Sequence, residues 1–357
     1  MHESETCMEE FNQVMRCPEC TGDLDAGPSL VCTRCGRKWP VEFGIPFFDD
    51  GTPYWGEIPQ ENMQDIVALA RAADWAGVER YLDEKFPKRK TFVYGDVRAD
   101  WRFMLPIRKG WRVLELGCGW GTHTMALARS GVEVFSQDAT RERVEFLRHW
   151  AEREGFPHVH PVVCRAPRLP YAAASFDLVV MNGFLEWVAC AYPDTVPPRK
   201  AQIQFLKSVF TLLKPGGMVF VGIENRFANQ YFRGSLDHSG LQYTSLMPRF
   251  LADRVCRRKK GQGYREYTYS RRGYARLLAD AGFRETRFFV PFDSYNMPET
   301  IVPYEEMTRT LRYFARTRSH ARTGVKRLLA RLVFIPGFVP LYRATIFSFL
   351  FTARKPL

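Results

Sequence analysis

The 357 residues are enough for two or more domains with a substantial core, and a hydrophobic content of 46% is ordinary for a soluble protein. Nine cysteines with no secretory leader visible (residues 1–10 carry acids where a leader has a basic start and an apolar run) argue for reduced thiols and metal in a cytoplasmic setting. The net charge of +12 is uneven: residues 249–357 hold 23 Lys and Arg against 8 Asp and Glu, whereas residues 1–248 hold 28 against 31.

Residues 1–16 are acidic and read as a frayed lead-in. Then come Cys17-Pro18-Glu19-Cys20 and, after eleven intervening residues, Cys32-Thr33-Arg34-Cys35-Gly36. Two such knuckles at short separation present four thiolates to one ion, so Cys17, Cys20, Cys32 and Cys35 are the expected ligands of a structural zinc. With four thiolates no coordination position stays open, which argues against a catalytic zinc; a redox pair competes only for one knuckle taken alone. The knuckles and the tail that follows, with Trp39-Pro40 and Gly44-Ile45-Pro46, resemble the small zinc-ribbon activator subunits of tRNA and rRNA methyltransferases. That resemblance covers residues 17–50 and implies a ribbon that packs beside a methyltransferase domain and performs no chemistry itself.

Residues 51–60 are rich in Pro and Gly and read as a linker. Residues 61–86 carry Ile66, Leu69, Ala70 and Ala73 at helical spacing, and the basic run from Pro87 to Lys90 breaks that pattern. Residues 99–105 read as a helix leading into the core, with Trp101 as a core residue in preference to a cover over a ligand. The expected organisation is a zinc-ribbon module at 1–50, a linker with N-terminal helices at 51–110, and one large domain at 111–357.

That domain opens with an apolar run at 111–116, short enough for a buried strand. Gly117, Gly119 and Gly121 follow at alternate positions, and residues 122–129 read as a helix. Strand, glycine turn and helix N-terminus make a nucleotide-binding corner, in which glycines let the backbone approach a ligand and adopt positive φ. Dinucleotide enzymes favour G-x-G-x-x-G; this chain has G-x-G-x-G, with Glu115 two residues before the first glycine. The combination resembles the first motif of the class I S-adenosylmethionine (SAM) methyltransferases. It implies that Glu115 faces the cationic amino-acid end of SAM, that Gly117 and Gly119 clear space for the ligand, and that Cys118 and Gly121 complete the turn. Residues 132–138 read as a second strand ending in Asp138, 17 residues past Gly121 and near the offset at which an acid grips ribose hydroxyls. Capping a helix that starts near Arg141 is the other role open to Asp138.

Strands are expected at 159–164, 175–182, 218–224, 283–292 and 346–353, and helices at 201–213 and 272–281. With the first two strands this makes an α/β fold: a doubly wound, mostly parallel seven-stranded sheet of the class I methyltransferase kind, preceded by the small zinc ribbon. In that family an acid after strand three often meets the adenine amino group. Here the slot falls on Cys164, Arg165 and Ala166, with no acid, so backbone groups near Ala166 must serve. Asn182 ends strand four, beside the expected methyl group.

Two insertions, 225–270 and 293–343, are expected to cap the carboxyl edge of the sheet and carry most of the basic excess, which suits RNA, an anionic membrane surface or a nucleotide-linked substrate; charge alone does not choose. The apolar stretches 333–341 and 346–351 are interrupted by Pro336, Pro340 and Arg343, so no transmembrane segment is expected; an interfacial anchor or core plus a last strand are the alternatives. Tyr264, Tyr267 and Tyr269 alternate near Arg257-Arg258-Lys259-Lys260, either to stack on bases or sugars or, more simply, as a half-exposed strand.

From residue 100 to 292 the strings N-G-F-L-E-W-V, G-I-E-N-R-F and D-H-S-G-L resemble bacterial methyltransferases of surface-glycan and natural-product biosynthesis. The acceptor implied is a glycan, a lipid-linked sugar or a small metabolite. The ribbon and the basic C-terminal third motivate an RNA methyltransferase instead, and a non-enzymatic SAM-fold binding module is the third alternative. Methyl transfer is an in-line displacement that positioning can largely drive, so no triad is required. Glu186 and His238 are the catalytic candidates, as base or hydroxyl anchor, with an acceptor pocket expected among Asn182, Glu186, Asn225 and His238.

Overall fold

The computed structural model describes residues 13–49, 54–292, 294–317 and 332–357. Most of the acidic lead-in, the linker's start at 50–53, residue 293 and the 318–331 part of the second insertion lie outside the described residues. The chain divides into two compact units, one of residues 1–184, 204–219 and 354–357, the other of residues 185–203 and 220–353.

The first unit begins with a four-stranded antiparallel sheet: β1 (Leu24–Asp25), β2 (Ser29–Cys32), β3 (Lys38–Glu42) and β4 (Ile45–Pro46), in that order. Trp39 anchors it, buried edge-on against Phe48 with 5.4 Å between ring centroids and covered by the Arg37 guanidinium at 4.3 Å. Past β4, Phe48 N donates to Val163 O (2.8 Å); ahead of β1, Arg16 N donates to Pro170 O (2.9 Å) and Val14 O accepts from Ala172 N (2.7 Å). The small sheet thereby covers an edge strand whose amides and carbonyls would otherwise be open to pairing.

The helix expected at 61–86 is two helices, α1 (Gln60–Arg71) and α2 (Trp75–Lys85). Ala73 takes a φ of 57°, and the Asp74 carboxylate caps α2 by accepting from Gly77 N at 2.8 Å. Pro87, expected as a breaker, instead starts α3 (Pro87–Tyr94), where its missing N–H costs no helical bond. Residues Asp96–Met104 form a 3-10 helix in place of the expected α-helix, and Trp101 is fully buried there, as a core residue should be.

The unit's core is parallel. Strand β5 (Arg112–Leu116) lies between β6 (Glu133–Asp138) and β8 (Phe176–Asn182), and β7 (Val159–Val163) follows β6. Buried Val, Leu and Phe in near-continuous runs suit strands covered on both faces. Helices α4 (Thr122–Ala128) and α5 (Arg141–Glu154) make the crossovers, and α1 packs on α5, where Arg71 pairs with Glu145. Helix α6 (Pro198–Leu212) runs straight into β9 (Leu213–Glu224), five residues before the expected strand start, so the order here is β9-β8-β5-β6-β7. The chain passes into the second unit within β9.

In the second unit β10 (Arg284–Phe292), β11 (Thr300–Pro303) and β12 (Ser348–Arg354) join the end of β9 in the order β11-β10-β12-β9. Strand β11 pairs antiparallel with β10, placing Phe292 opposite Thr300. Among the described residues this sheet therefore has eight strands, not seven, and is mixed; four residues, three of them β-branched and one proline, gave no periodic signal for β11. Helices α7 (Asn229–Phe232), α8 (Arg249–Lys260), α9 (Arg271–Asp280), α10 (Met307–Thr317) and α11 (Phe338–Thr345) complete the unit. The tyrosines read as a half-exposed strand form no strand. Tyr264 is 2% exposed, and the Arg249 guanidinium sits 4.0 Å from the Tyr267 ring and 5.4–5.6 Å from those of Tyr264 and Tyr269. No helix among the described residues is long and apolar enough to cross a membrane.

Candidate functional site

The glycine corner lies in the first unit. Gly117, Gly119 and Gly121 take φ values of 74°, 54° and 89°. A Cβ on Gly117 would stand 2.5 Å from Phe184 Cδ2, and one on Gly121 would stand 2.3 Å from Leu147 Cδ1. On Gly119 it would meet nothing nearer than Arg143 Nη1 at 3.8 Å. The space left by a missing side chain is therefore open only at Gly119. Gly117, expected to make room for a ligand, makes room for the Phe184 ring.

Asp138 bridges this corner. Its carboxylate accepts from Gly119 N and from Thr140 N, each at 2.9 Å, tying the glycine turn to the turn that enters α5. A carboxylate has acceptor capacity beyond two bonds, so both occupied oxygens keep room for hydroxyl donors. Gln137, which sequence reasoning missed, is 2% exposed and donates to Cys164 O (3.1 Å) and Arg168 O (3.0 Å). It thereby fixes the segment after β7 on which half-buried Ala166 sits, while Arg165 is exposed and Cys164 buried. Cys118 is buried, and Asn182 ends β8.

Glu115 is 3% exposed and accepts from Thr124 Oγ1, which also contacts Ser136 Oγ at 2.8 Å; His123 Nδ1 stands 3.7 Å away. Burial pushes its carboxyl up from 4.5 to about 8, against the pull of the Thr124 hydrogen bond and the Arg98 charge. Since the folded value is raised, the stabilisation is complete below pH 4.5 and is lost as pH rises through about 8. Glu115→Gln keeps the shape and removes the titration. Denaturant unfolding of the ligand-free protein should show the wild type losing stability relative to the variant between pH 5 and about pH 9; parallel pH profiles would refute the assignment.

A second polar group lies in the second unit. Glu186 is fully buried, Glu224 ends β9, and His238 stands in the loop between α7 and α8. His238 Nε2 lies 3.6 Å from Glu186 Oε1 and 3.6 Å from Glu224 Oε2. Tyr295 OH donates to Glu224 Oε1 at 3.1 Å, and neither Glu186 oxygen has a hydrogen-bond partner. Burial, and then the Glu224 charge, hold the Glu186 carboxyl well above the usual carboxylate range.

The loop is built to present the histidine. The Asp237 carboxylate accepts from Ser239 N (2.9 Å) and Thr244 Oγ1 (2.6 Å), and Trp187 packs edge-on to the imidazole at 5.1 Å. Glu186 and His238 thus come together as expected, joined by Glu224. Asn225 does not join them: its amide donates to Ala344 O (2.8 Å) and Ile346 O (2.9 Å) and its Oδ1 accepts from Phe227 N, so it holds the approach to β12. Arg226 is likewise spent on Ser245 O and Met247 O, both at 2.7 Å.

A third group, on the small N-terminal sheet, collects the Sγ atoms of Cys17, Cys20, Cys32 and Cys35 within 4.8 Å of one another, a donor set that can hold a soft metal ion. A Cβ on Gly22 would stand 3.0 Å from Cys32 Sγ and 3.3 Å from Cys20 Sγ, so glycine leaves these sulfurs their room.

The family described as methyltransferase domain matches residues 114–221. The chain is similar to ubiquinone biosynthesis O-methyltransferases of Parvibaculum lavamentivorans (28% identical over 164 residues, 44% of this chain and 60% of that protein) and Xanthomonas campestris (30% over 170 residues, 47% and 62%). The matched part spans about 60% of the length of these relatives. Among solved structures, phosphoethanolamine N-methyltransferase 2 of Haemonchus contortus aligns at 16% identity with a TM-score of 0.44, over 85% of this chain and 62% of that one. The match over 114–221 takes in β5, the glycine corner, Asp138 and the strands through most of β9, so the stretch that builds this corner is the one that matches a methyltransferase domain.

Proposed function

We propose that this protein transfers a methyl group from SAM to an oxygen of a compact acceptor, a small metabolite or a sugar, free or lipid-linked. The observation that carries the reading is the open space at Gly119 beside an Asp138 carboxylate already tied to the turn. SAM, when bound, supplies a methyl group on a positively charged sulfur. Gly117, Cys118, Gly119 and Gly121 form the turn against it, Glu115 supports its amino-acid end, Asp138 accepts from its ribose hydroxyls, and backbone at Ala166 and Asn182 serves the adenine and the methyl end. Glu186 and His238, in the second unit, are the candidates for the acceptor's side of the reaction, as hydroxyl anchor or base. Positioning of this kind can account for roughly 7–11 kcal/mol of a displacement barrier. The names of the curated relatives specify O-methylation, which supports an oxygen acceptor.

The four-cysteine group fits a structural zinc, held by Cys17, Cys20, Cys32 and Cys35 in a ribbon module at 1–50, in a reducing cytoplasmic setting that keeps the thiols free. The linker and N-terminal helices at 51–110 then lead into the catalytic domain at 111–357.

The test uses one preparation and three measurements: calorimetry with SAM, transfer of labelled methyl to a panel of hydroxyl-bearing metabolites and sugars, and transfer to bulk RNA with RNA binding across a salt series. SAM binding with transfer to a member of the panel is expected. Transfer to RNA alone, with affinity collapsing as salt rises, would move the acceptor to nucleic acid. No SAM binding would end the reading.

A further inference from the structure

We propose that Glu186, Glu224 and His238 form a binding site for one divalent cation. Their ligand atoms lie within 4.8 Å of one another, and the two His238 Nε2 to carboxylate distances are equal at 3.6 Å. That separation is long for a hydrogen bond. Two donors sharing a metal at roughly 2.1 Å stand about 3.0–3.6 Å apart for ordinary coordination angles.

Burial makes the same case. Glu186 is fully buried and neither of its oxygens accepts a hydrogen bond; Glu224 Oε2 has none either. Among the described residues no Lys or Arg pairs with either carboxylate, and the one basic side chain that does is His238. Two carboxylates in a site this dry need a positive charge between them or a large desolvation cost stands unmet.

The surroundings orient the ligands as outer-shell groups do. Tyr295 OH holds Glu224 Oε1, which leaves Oε2 for the ion. Gln202 Nε2 donates to Leu185 O at 2.9 Å and fixes the backbone next to Glu186. The Asp237 turn and the Trp187 edge fix His238.

Two carboxylate oxygens and one imidazole nitrogen make a hard-to-borderline set that suits Mn²⁺, Mg²⁺ or Zn²⁺. It is chemically distinct from the four thiolates of the N-terminal sheet. Three protein ligands leave coordination positions open, and an acceptor with two neighbouring oxygens, such as a vicinal diol, would fill them. This last step rests on the methyl-transfer reading; the cation site does not.

Mn²⁺ is the probe, because thiolates discriminate against it and its free ion is counted directly by electron paramagnetic resonance. Full-length protein with its zinc retained should bind one Mn²⁺ per chain. Glu186→Gln and His238→Ala should each weaken that binding on the order of 100-fold, while calorimetric SAM affinity stays at the wild-type value. His238 lies in a loop and is partly exposed, so its variant keeps the test alive if Glu186→Gln misfolds. No Mn²⁺ bound at millimolar concentration, or binding unchanged in both variants, would overturn the proposal and leave a shared-proton cluster in its place. Loss of SAM binding in the wild type, with Mn²⁺ still bound, would count against the methyl-transfer reading alone.

Discussion

Cys20→Ser should remove the proposed zinc and leave residues 17–48 unfolded. A serine hydroxyl stays protonated near neutrality and is a poor substitute for a thiolate, so one substitution opens the coordination sphere. The sheet it would have to survive on is small: β1 and β4 have two residues each, and Trp39 and Phe48 supply the largest buried side chains. Metal-linked folding in sites of this class is worth on the order of 10–16 kcal/mol, far more than so few apolar contacts provide. A second consequence follows from the bond between Phe48 and Val163. Once the sheet unfolds, the edge of β7 is uncovered and the variant should aggregate. Elemental analysis should show zinc falling from one per chain to none, and limited proteolysis should cut within 17–48. Treating the wild type with a chelator should give the same fragments. A protease-resistant ribbon in the zinc-free variant would refute the proposed structural role.

The parts of this molecule that were legible in the sequence are those whose signal is local. Glu115, the three alternate glycines and Asp138 announce the corner because a strand, a turn and a second strand end must lie close in sequence to build it. The paired cysteine knuckles are legible for the same reason. Element types in the parallel core followed from near-continuous apolar runs. Features set by tertiary context were not legible. Pro87 reads as a breaker until the end of α2 is placed directly before it, which makes it a helix start. Strand β11 is too short to show a period, and its partner β10 supplies the pairing. The string Glu224-Asn225-Arg226 gives no hint that its members diverge, Glu224 toward Glu186 and His238, Asn225 toward 344–346 and Arg226 toward 245–247. Gly117 is a related case: a missing side chain is visible in a sequence, but what occupies the space is not, and here it is Phe184 from 67 residues away.

That difference between neighbouring glycines leads to the sharpest test of the proposed cofactor site. Gly119→Asn should abolish SAM binding without unfolding the protein. Asn tolerates the left-handed conformation better than other side chains, and Gly119 sits at a φ of 54°. Its new side chain would meet only Arg143 Nη1, at 3.8 Å from Cβ, so the protein itself offers little resistance. The ligand would meet the whole side chain, and a loss of at least 100-fold in affinity, about 3 kcal/mol, is the expected reading in calorimetry. Gly117→Ala should behave in the opposite sense. Its Cβ would press on the Phe184 ring at 2.5 Å from a φ of 74°, so stability falls by at least the roughly 1–2 kcal/mol that the left-handed conformation costs an L-residue, and the unfolding temperature falls with it. Phe184→Ala in that background should recover part of the loss, which a double-mutant cycle would isolate. Asp138→Ala releases Gly119 N and removes the charged acceptor proposed for the ribose, and should weaken SAM by about 10- to 100-fold. If Gly119→Asn binds SAM as the wild type does, the open space beside that glycine is not where the ligand lies, and the corner must hold it elsewhere or not at all.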